Sequence, residues 1–429
     1  MSRIRVFLLV GFVMLFSIVL VGISLDRSVG MQDKPAQTKL AEVDFYDIAD
    51  MTTVRPPKPM SPAVKNGLAW LAKRQNPDGG WPEDNSSQPL AKSELGCSAL
   101  SLLALLRGEN SVRQGPYRDT VRKGLSYLIQ AVADRSRGPR WVRTTSAPAQ
   151  IHGKLGSYAD LFLANLTLAE FRGKAGAQEH AVAVCLEKTM NQVLSLQTAE
   201  GRYRGNEGGW APVLAMGLAT KGIARARFQG ARYEHIFAER AFAYSLSSVL
   251  DRPVALNGLN LVRAREDAGV VLYRISQGAT NVFDLANAYR YELLRIRLFA
   301  DDPLERANVK VAAQRVEKLV AHFDQVQREL LEKLRDPQFL RGVGTIGGEE
   351  LLSYWNVSEV LVLLGGEDWE KWDGTMEQML RRAQNADGSW SGQHCITGKT
   401  FCTAAALLVL LGDRTPFPKE LVQHLQPRR

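Results

Sequence analysis

The chain has 429 residues, 45% of them hydrophobic and 23% charged, with 36 glycines and 18 prolines. These proportions exclude a collagen-like repeat, a coiled-coil rod and bulk disorder; they leave an ordinary globular protein of two or three domains, or a repeat fold. The net charge of +9 reads first as a solvated surface rich in lysine and arginine, with an anionic membrane or envelope polymer as the alternative partner.

In chain order, the first element is Arg3 and Arg5 followed by an uncharged apolar run, residues 6–25. At about 1.5 Å rise per residue this run matches a bilayer core of roughly 30 Å. The arginines in front of it favour a cytoplasmic N-terminus. A retained transmembrane anchor is one reading and a cleaved signal peptide the other, although "SLDRSVGMQ" after the run lacks a small-residue cleavage pattern. Both readings put the globular part outside the cytoplasm, membrane-anchored or secreted, and make nucleic acid an unexpected partner. Residues 26–60, polar and proline-bearing, read as a flexible linker. Residues 61–429 read as the folded domain.

From Ser61 onward the pattern is helical. "SPAVKNGLAWLAKRQ" has Ser61 where an N-cap belongs and Pro62 at the first helical position, with Val64, Leu68 and Leu71 at steps of three and four. "NPDGGWPEDNSSQP" breaks that helix with turn chemistry. "ELGCSALSLLALLRG" follows, apolar almost all round and therefore expected to be buried. The unit recurs. "VRKGLSYLIQAV" (121–132) sets Gly124 on Gly67, Tyr127 on Trp70 and Leu128 on Leu71, then continues through "GPRW" to "SYADLFLANLTLAEF". A third copy is "NQVLSLQTAEGRY" (191–203) with "APVLAMGLATKGIARARF", and the last is "MEQMLRRAQNADGSW" (376–390) with "TFCTAAALLVLL". Leu71 to Leu128 is 57 residues, Leu128 to Leu194 is 66, and Leu194 to Leu380 is 186, three steps of 62. Two degenerate copies fit between: residues 237–250 with 281–299, and 309–334 with 350–364. Six helix pairs with apolar inner helices are expected to close on themselves, because only closure covers both faces of an inner helix.

Gly67-x2-Trp70-Leu71-x3-Gln75-x3-Gly79-x-Trp81 resembles the QW repeat of squalene–hopene cyclases and their relatives, the terpene cyclase and prenyltransferase β-subunit superfamily. Leu380-x3-Gln384-x3-Gly388-x-Trp390 resembles it as well, with Met379 at the usual aromatic position. The resemblance spans roughly residues 61–415. It implies an all-α fold, an α/α toroid of about six helical hairpins, with an isoprenoid-like or other apolar ligand in the ring. It also implies structural roles for Gln75, Gly79, Trp81, Gln384, Gly388 and Trp390. Physical chemistry agrees: glutamine can cap an orphan backbone group, glycine admits positive φ, and tryptophan packs broadly.

Chemistry must come from a site rather than from the fold. The acidic D-x-D-D stretch with which class II terpene cyclases protonate an alkene is missing, and the nearest tetrapeptide, "PEDN" (82–85), lacks the carboxylates that motif needs. "DDPLE" (301–305) reads as a helix cap rather than an aspartate-rich metal site. The D-x-C of zinc-holding protein prenyltransferases is also missing, so no cofactor is expected. His394, Cys395 and Cys402 offer zinc the right ligand types but no zinc spacing. A Cys395–Cys402 disulfide is possible in an exported protein, and Cys97 and Cys402 occupy equivalent positions in the first and last inner helices; buried free thiols are the default.

Candidates for a cavity mouth lie at the starts of the inner helices: Glu94, His152, Tyr158, Asp160, Asp284, Glu349, Glu350, Tyr354 and Trp355. They could bind a ligand or serve as helix caps and polar rim. Arg135, Arg137, Arg140 and Arg143 around Trp141 suit an anion or form a solvated turn. Three functions stay open: an apolar-ligand protein of terpene-cyclase type without demonstrable catalysis, an interaction module for an envelope protein, and a carbohydrate-active toroid enzyme. Aromatic lining without paired acids would favour the first. A filled lumen would favour the second, and facing carboxylates with stacking aromatics the third.

Overall fold

A computed structural model describes residues 44–45, 48–84, 92–135, 150–204, 209–254, 270–299, 314, 317, 321–322, 324–336 and 346–425. The expected anchor or signal segment, residues 6–25, lies outside them. Among the described residues no helix is long and apolar enough to cross a membrane.

The described chain is mainly α-helical. Its helices are α1 (Pro62–Arg74), α2 (Leu95–Arg107), α3 (Arg118–Arg135), α4 (Gln150–Leu155), α5 (Ala159–Phe171), α6 (Glu179–Leu196), α7 (Pro212–Phe228), α8 (His235–Leu250), α9 (Val271–Phe299), α10 (Gly348–Leu364), α11 (Gly366–Ala383), α12 (Lys399–Leu410) and α13 (Lys419–Leu425). Three two-stranded antiparallel pairs decorate them: β1 (Asp44–Phe45) with β5 (Ala231–Arg232), β2 (Met51–Thr53) with β6 (Pro416–Pro418), and β3 (Trp81–Pro82) with β4 (Ser93–Glu94).

Helix α1 starts as its sequence dictates, with the Ser61 hydroxyl accepting from Val64 N at 3.3 Å and Pro62 needing no partner. It buries Ala63, Val64, Gly67, Leu68 and Leu71, one stripe of a 3.6-residue period. Helices α2 and α5, by contrast, are buried along their whole length. The buried helices contact one another in a cycle: α2 on α5, α5 on α7, α7 on α9, α9 on α10, α10 on α12, and α12 back on α2. The remaining long helices pack against them, α1 on α12 and α2, α3 on α2, α6 on α5, the largely buried α8 on α9, and α11 on α10 and α12.

The corners between these helices follow one rule. Gln75 Nε2 donates to Gly79 O at 2.7 Å and to Thr120 O of α3 at 2.9 Å. Gln384 Nε2 donates to Gly388 O and to Ala63 O of α1, both at 2.9 Å. Gln197 Nε2 reaches Phe237 O of α8 at 2.8 Å. Each glutamine thus satisfies a carbonyl in the first turn of a neighbouring amphipathic helix. Three residues further along that helix, a backbone carbonyl leaves no room for a side chain: a Cβ on Gly79 would stand 2.5 Å from Lys123 O, and one on Gly388 2.9 Å from Asn66 O. Both glycines also hold φ near +90°, a left-handed conformation that costs other residues energy. One residue beyond, Gly67 lies under the Trp390 ring and Gly124 under the Trp81 ring. The indole Nε1 atoms of Trp81 and Trp390 donate to Leu71 O and Leu380 O, each at 2.8 Å. In the third copy the aromatic is Tyr203 and the residue at the Gly67 position is Ala241, so a smaller ring goes with one extra methyl.

Part of the expected linker is tied to the helices. From Asp50 to Lys58 the chain is held by the β2–β6 pair, by Lys419 N donating to Asp50 O at 2.8 Å, and by Lys58 N donating to Asp413 Oδ2 at 2.8 Å. Met51–Thr53 has β6 as a partner strand, so its backbone groups are satisfied in a way that a solvated linker would not need.

Candidate functional site

The buried helices carry two clusters of ionisable groups, one towards their C-terminal ends and one at their N-terminal ends. The C-terminal cluster takes one or two residues from each of five helices: Arg107 (α2), Glu170 (α5), Lys221 and Arg225 (α7), Asp284 (α9) and Glu359 (α10), all buried. Arg107 makes a two-pronged pair with Glu170, at 2.7 and 2.5 Å, and reaches Glu359 Oε1 at 3.1 Å. Lys221 Nζ bonds Glu359 Oε2 and stands 3.3 Å from Asp284 Oδ2. Arg225 Nη2 lies 3.1 Å from Asp284 and 3.2 Å from Glu359. Three cations face three anions. Burial works against ionisation of Glu359, but Lys221, Arg225 and Arg107 outweigh it and hold this carboxyl well below the usual range. The indole of Trp355 donates to Glu359 Oε1 at 3.0 Å.

The segment after α12 closes over this cluster. Thr415 Oγ1 donates to Glu359 Oε1 at 3.2 Å, Pro416 O accepts from Arg225 Nη1 at 3.2 Å, and the Phe417 ring lies 4.8 Å from the Arg225 guanidinium. This end is a floor, packed and charge-balanced.

The N-terminal cluster, called the mouth below, gathers where α2, α5 and α10 begin. His152 Nε2 lies 3.1 Å from Asp160 Oδ1, which also accepts from Gly96 N at 3.1 Å at the start of α2. Glu83 and Glu94 stand beside this pair; burial, then the charge of Glu94, pushes the Glu83 carboxyl upward. On α10, Glu349 Oε2 accepts from Ile396 N at 3.2 Å, and burial with the neighbouring Glu350 raises its carboxyl too. The Tyr273 hydroxyl donates to Glu350 Oε1, and His394 Nε2 lies 3.8 Å from Glu350 Oε2. Burial and that carboxylate together drive the Tyr273 phenol far above its ordinary value. Lys154 of α4 sits 5.1 Å from the Trp210 ring centroid, and Trp210 meets Tyr273 edge-on at 6.0 Å.

Five sequence candidates therefore meet at the mouth: Glu94, His152, Asp160, Glu349 and Glu350. Tyr158 opens α5, but its ring packs on Phe162, with centroids 6.4 Å apart. Three candidates are corrected. Asp284 belongs to the floor, because α9 begins at Val271, well before the stretch read as its start. Trp355 belongs to the floor as well. Tyr354 faces the outside of the cycle and meets Trp372 of α11, with ring centroids 6.1 Å apart. Arg135 ends α3, while Arg137, Arg140 and Arg143 lie outside the described residues.

The cysteines are free thiols, so the Cys395–Cys402 disulfide does not form. Cys402 donates to Ile396 O at 3.2 Å, and burial pushes both thiols up. Among the described residues no group of three or more His, Cys, Asp or Glu is arranged to hold a metal ion, and the zinc option at His394, Cys395 and Cys402 gains nothing from the structure. A cleft of about 960 Å³ lies away from the mouth, between the start of α1 and α11; Lys58 crosses it to Asp373 at 2.5 Å.

Mouth residues missed in the sequence are Glu83, Lys154, Trp210, Tyr273 and Gln277. Tyr273, Gln277 and Asp284 follow a helical stripe along α9, a signal hidden by the late start assigned to that helix. Comparison of the chain with protein families, with curated proteins and with solved structures finds no match.

Proposed function

We propose that the protein is an exported α/α toroid with the architecture of the terpene cyclase and prenyltransferase superfamily, and that it works as a ligand-binding module through its acid-lined mouth. The cycle of buried helices and the three glutamine corners support the architecture. One observation carries the functional reading: the floor is filled by its own ion pairs, while at the mouth Glu83 sits beside Glu94 and Glu349 beside Glu350, where burial disfavours the charge of Glu83 and Glu349. Such desolvated acids are the usual mark of a site awaiting a partner. The charged floor weighs against an isoprenoid threaded along the axis, since an apolar chain would have to displace ion pairs that satisfy one another. The ligand of this reading is polar. The test is mass spectrometry of small molecules that co-purify with the full-length protein and with its Glu350→Gln variant. A polar compound present in the first and depleted in the second is the expected result; an isoprenoid retained equally by both would overturn the reading.

A second reading, acid–base chemistry on that ligand, is favoured by the pairing of Glu83 with Glu94 and of Glu349 with Glu350, each pair having one carboxyl pushed up. It predicts a pH-dependent turnover of the bound compound that Glu349→Gln abolishes, and it fails if the compound is recovered unchanged across pH.

A further inference from the structure

We propose that the mouth takes a neutral pyranose ring, with Trp210 as its stacking platform and Gln277 and Glu350 as partners for its hydroxyls. The inference rests on the mouth being the ligand site.

Trp210 is 44% exposed, and Val271, at the start of α9, is exposed to the same degree. Trp210 stands beside Tyr273, whose hydroxyl reaches the buried Glu350. The indole is not loose: Trp210 N donates to Gly153 O at 3.3 Å, and the Tyr273 edge and the Lys154 ammonium fix its plane. Rigid aromatics bury area on binding at little entropic cost. Beneath the platform the Tyr273 hydroxyl holds Glu350 in place. One helical turn further along α9, about 5.4 Å deeper, lies Gln277, 1% exposed, with neither amide atom hydrogen-bonded. A buried amide left unpaired has lost its water without replacement, so a ligand that supplies both a donor and an acceptor restores what burial removed.

The chemistry of a pyranose fits each part. Its C–H face covers an indole, its hydroxyls donate to a carboxylate, and neighbouring hydroxyls exchange a donor and an acceptor with an amide. Two other ligand classes fit less well. A cationic amine brought to the indole would be repelled by the Lys154 ammonium 5.1 Å from its centroid, as a neutral ring would not. An apolar chain would leave Gln277 unpaired and buried deeper.

The test uses full-length protein in a detergent without a sugar headgroup. A neutral glycan array comes first, then calorimetry with the best-retained oligosaccharide, with spermidine and farnesol in parallel. The expected result is binding of a neutral oligosaccharide, weakened at least about tenfold by Trp210→Ala and by Gln277→Leu. Trp210→Phe keeps a platform and should keep most of the affinity, which separates loss of stacking from misfolding; unchanged thermal unfolding is the second control. No retained neutral glycan, or affinity untouched by both variants, overturns the pyranose assignment. If spermidine or farnesol binds instead and Glu350→Gln weakens it, the pyranose falls while the mouth survives as the site. Binding of any probe that ignores all of these substitutions would sink the mouth itself.

Discussion

At one end of the buried helices three carboxylates face three cations; at the other, Glu83, Glu94, Asp160, Glu349 and Glu350 gather near His152 and His394. Both sets are buried apart from the half-buried Glu83 and His394, yet their acids respond in opposite directions. Glu359 is held far down because its neighbours outweigh the loss of water, whereas Glu83 and Glu349 are pushed up because theirs do not. Burial alone does not say what a carboxyl is for. A buried acid whose countercharges outweigh its lost hydration acts as a fastener; acids whose charge is disfavoured mark the ligand site proposed above.

That contrast can be broken experimentally, and the floor should give most. Glu359→Gln removes the anion shared by Lys221, Arg225 and Arg107 and leaves positive charge uncompensated. A loss of about 3–5 kcal/mol in denaturant unfolding is expected; a loss near zero would mean that the floor is no fastener. Trp355→Phe keeps a ring near Lys221 but deletes the hydrogen bond to Glu359, and should cost about 1.5–3 kcal/mol by the same measurement.

The mouth should behave the other way. The folded carboxyl of Glu349 lies above its unfolded value, so its favourable contribution is complete below about pH 4.3 and is lost as pH rises through the folded value. Glu349→Gln should therefore be neutral to stabilising by up to about 1 kcal/mol near neutral pH, with the gain vanishing in acid. Glu359 has the reverse sign: its contribution is present above about pH 4.3 and disappears as pH falls through its lowered value. Unfolding midpoints of the two variants, followed from acid to neutral pH, should diverge from the parent in opposite senses. Trp210→Ala is the smallest, within about 0.5 kcal/mol of the parent in stability, because its ring is half in water. A large loss there would recast the platform as a core residue.

The corners were legible because their whole recipe is local. Gln75, Gly79 and Trp81 lie within seven residues, and each supplies a property that the turn requires. The mouth was half legible: Glu94, Asp160, Glu349 and Glu350 stand at helix starts, where turn signals point. Glu83 and Gln277 carry no such signal, and Trp210 looks like one more turn aromatic. The floor was missed, since its six residues lie on five helices and meet only on folding. A trace was there. Arg107, Glu170, Lys221, Arg225, Asp284 and Glu359 all interrupt largely buried helices at a similar depth from the helix start. Charges at matched depth in otherwise apolar segments should be read as partners. Asp284 misled because the residues before Asn281, with Gly278 and Thr280 among them, concealed a helix already under way.

The corner that joins Gln384 to Ala63 is chemically the same as those joining consecutive copies, although it ties the last repeat to the first. A row of stacked repeats open at both ends can fray from either tip, one unit at a time. Among the described residues the contacts of the buried helices return to their starting point, so in the proposed closed architecture the row has no tip. Melting must begin by rupturing an interior joint, so unfolding should be all-or-none, and severing the backbone at any one turn should cost far less than removing a single corner glutamine together with its tryptophan.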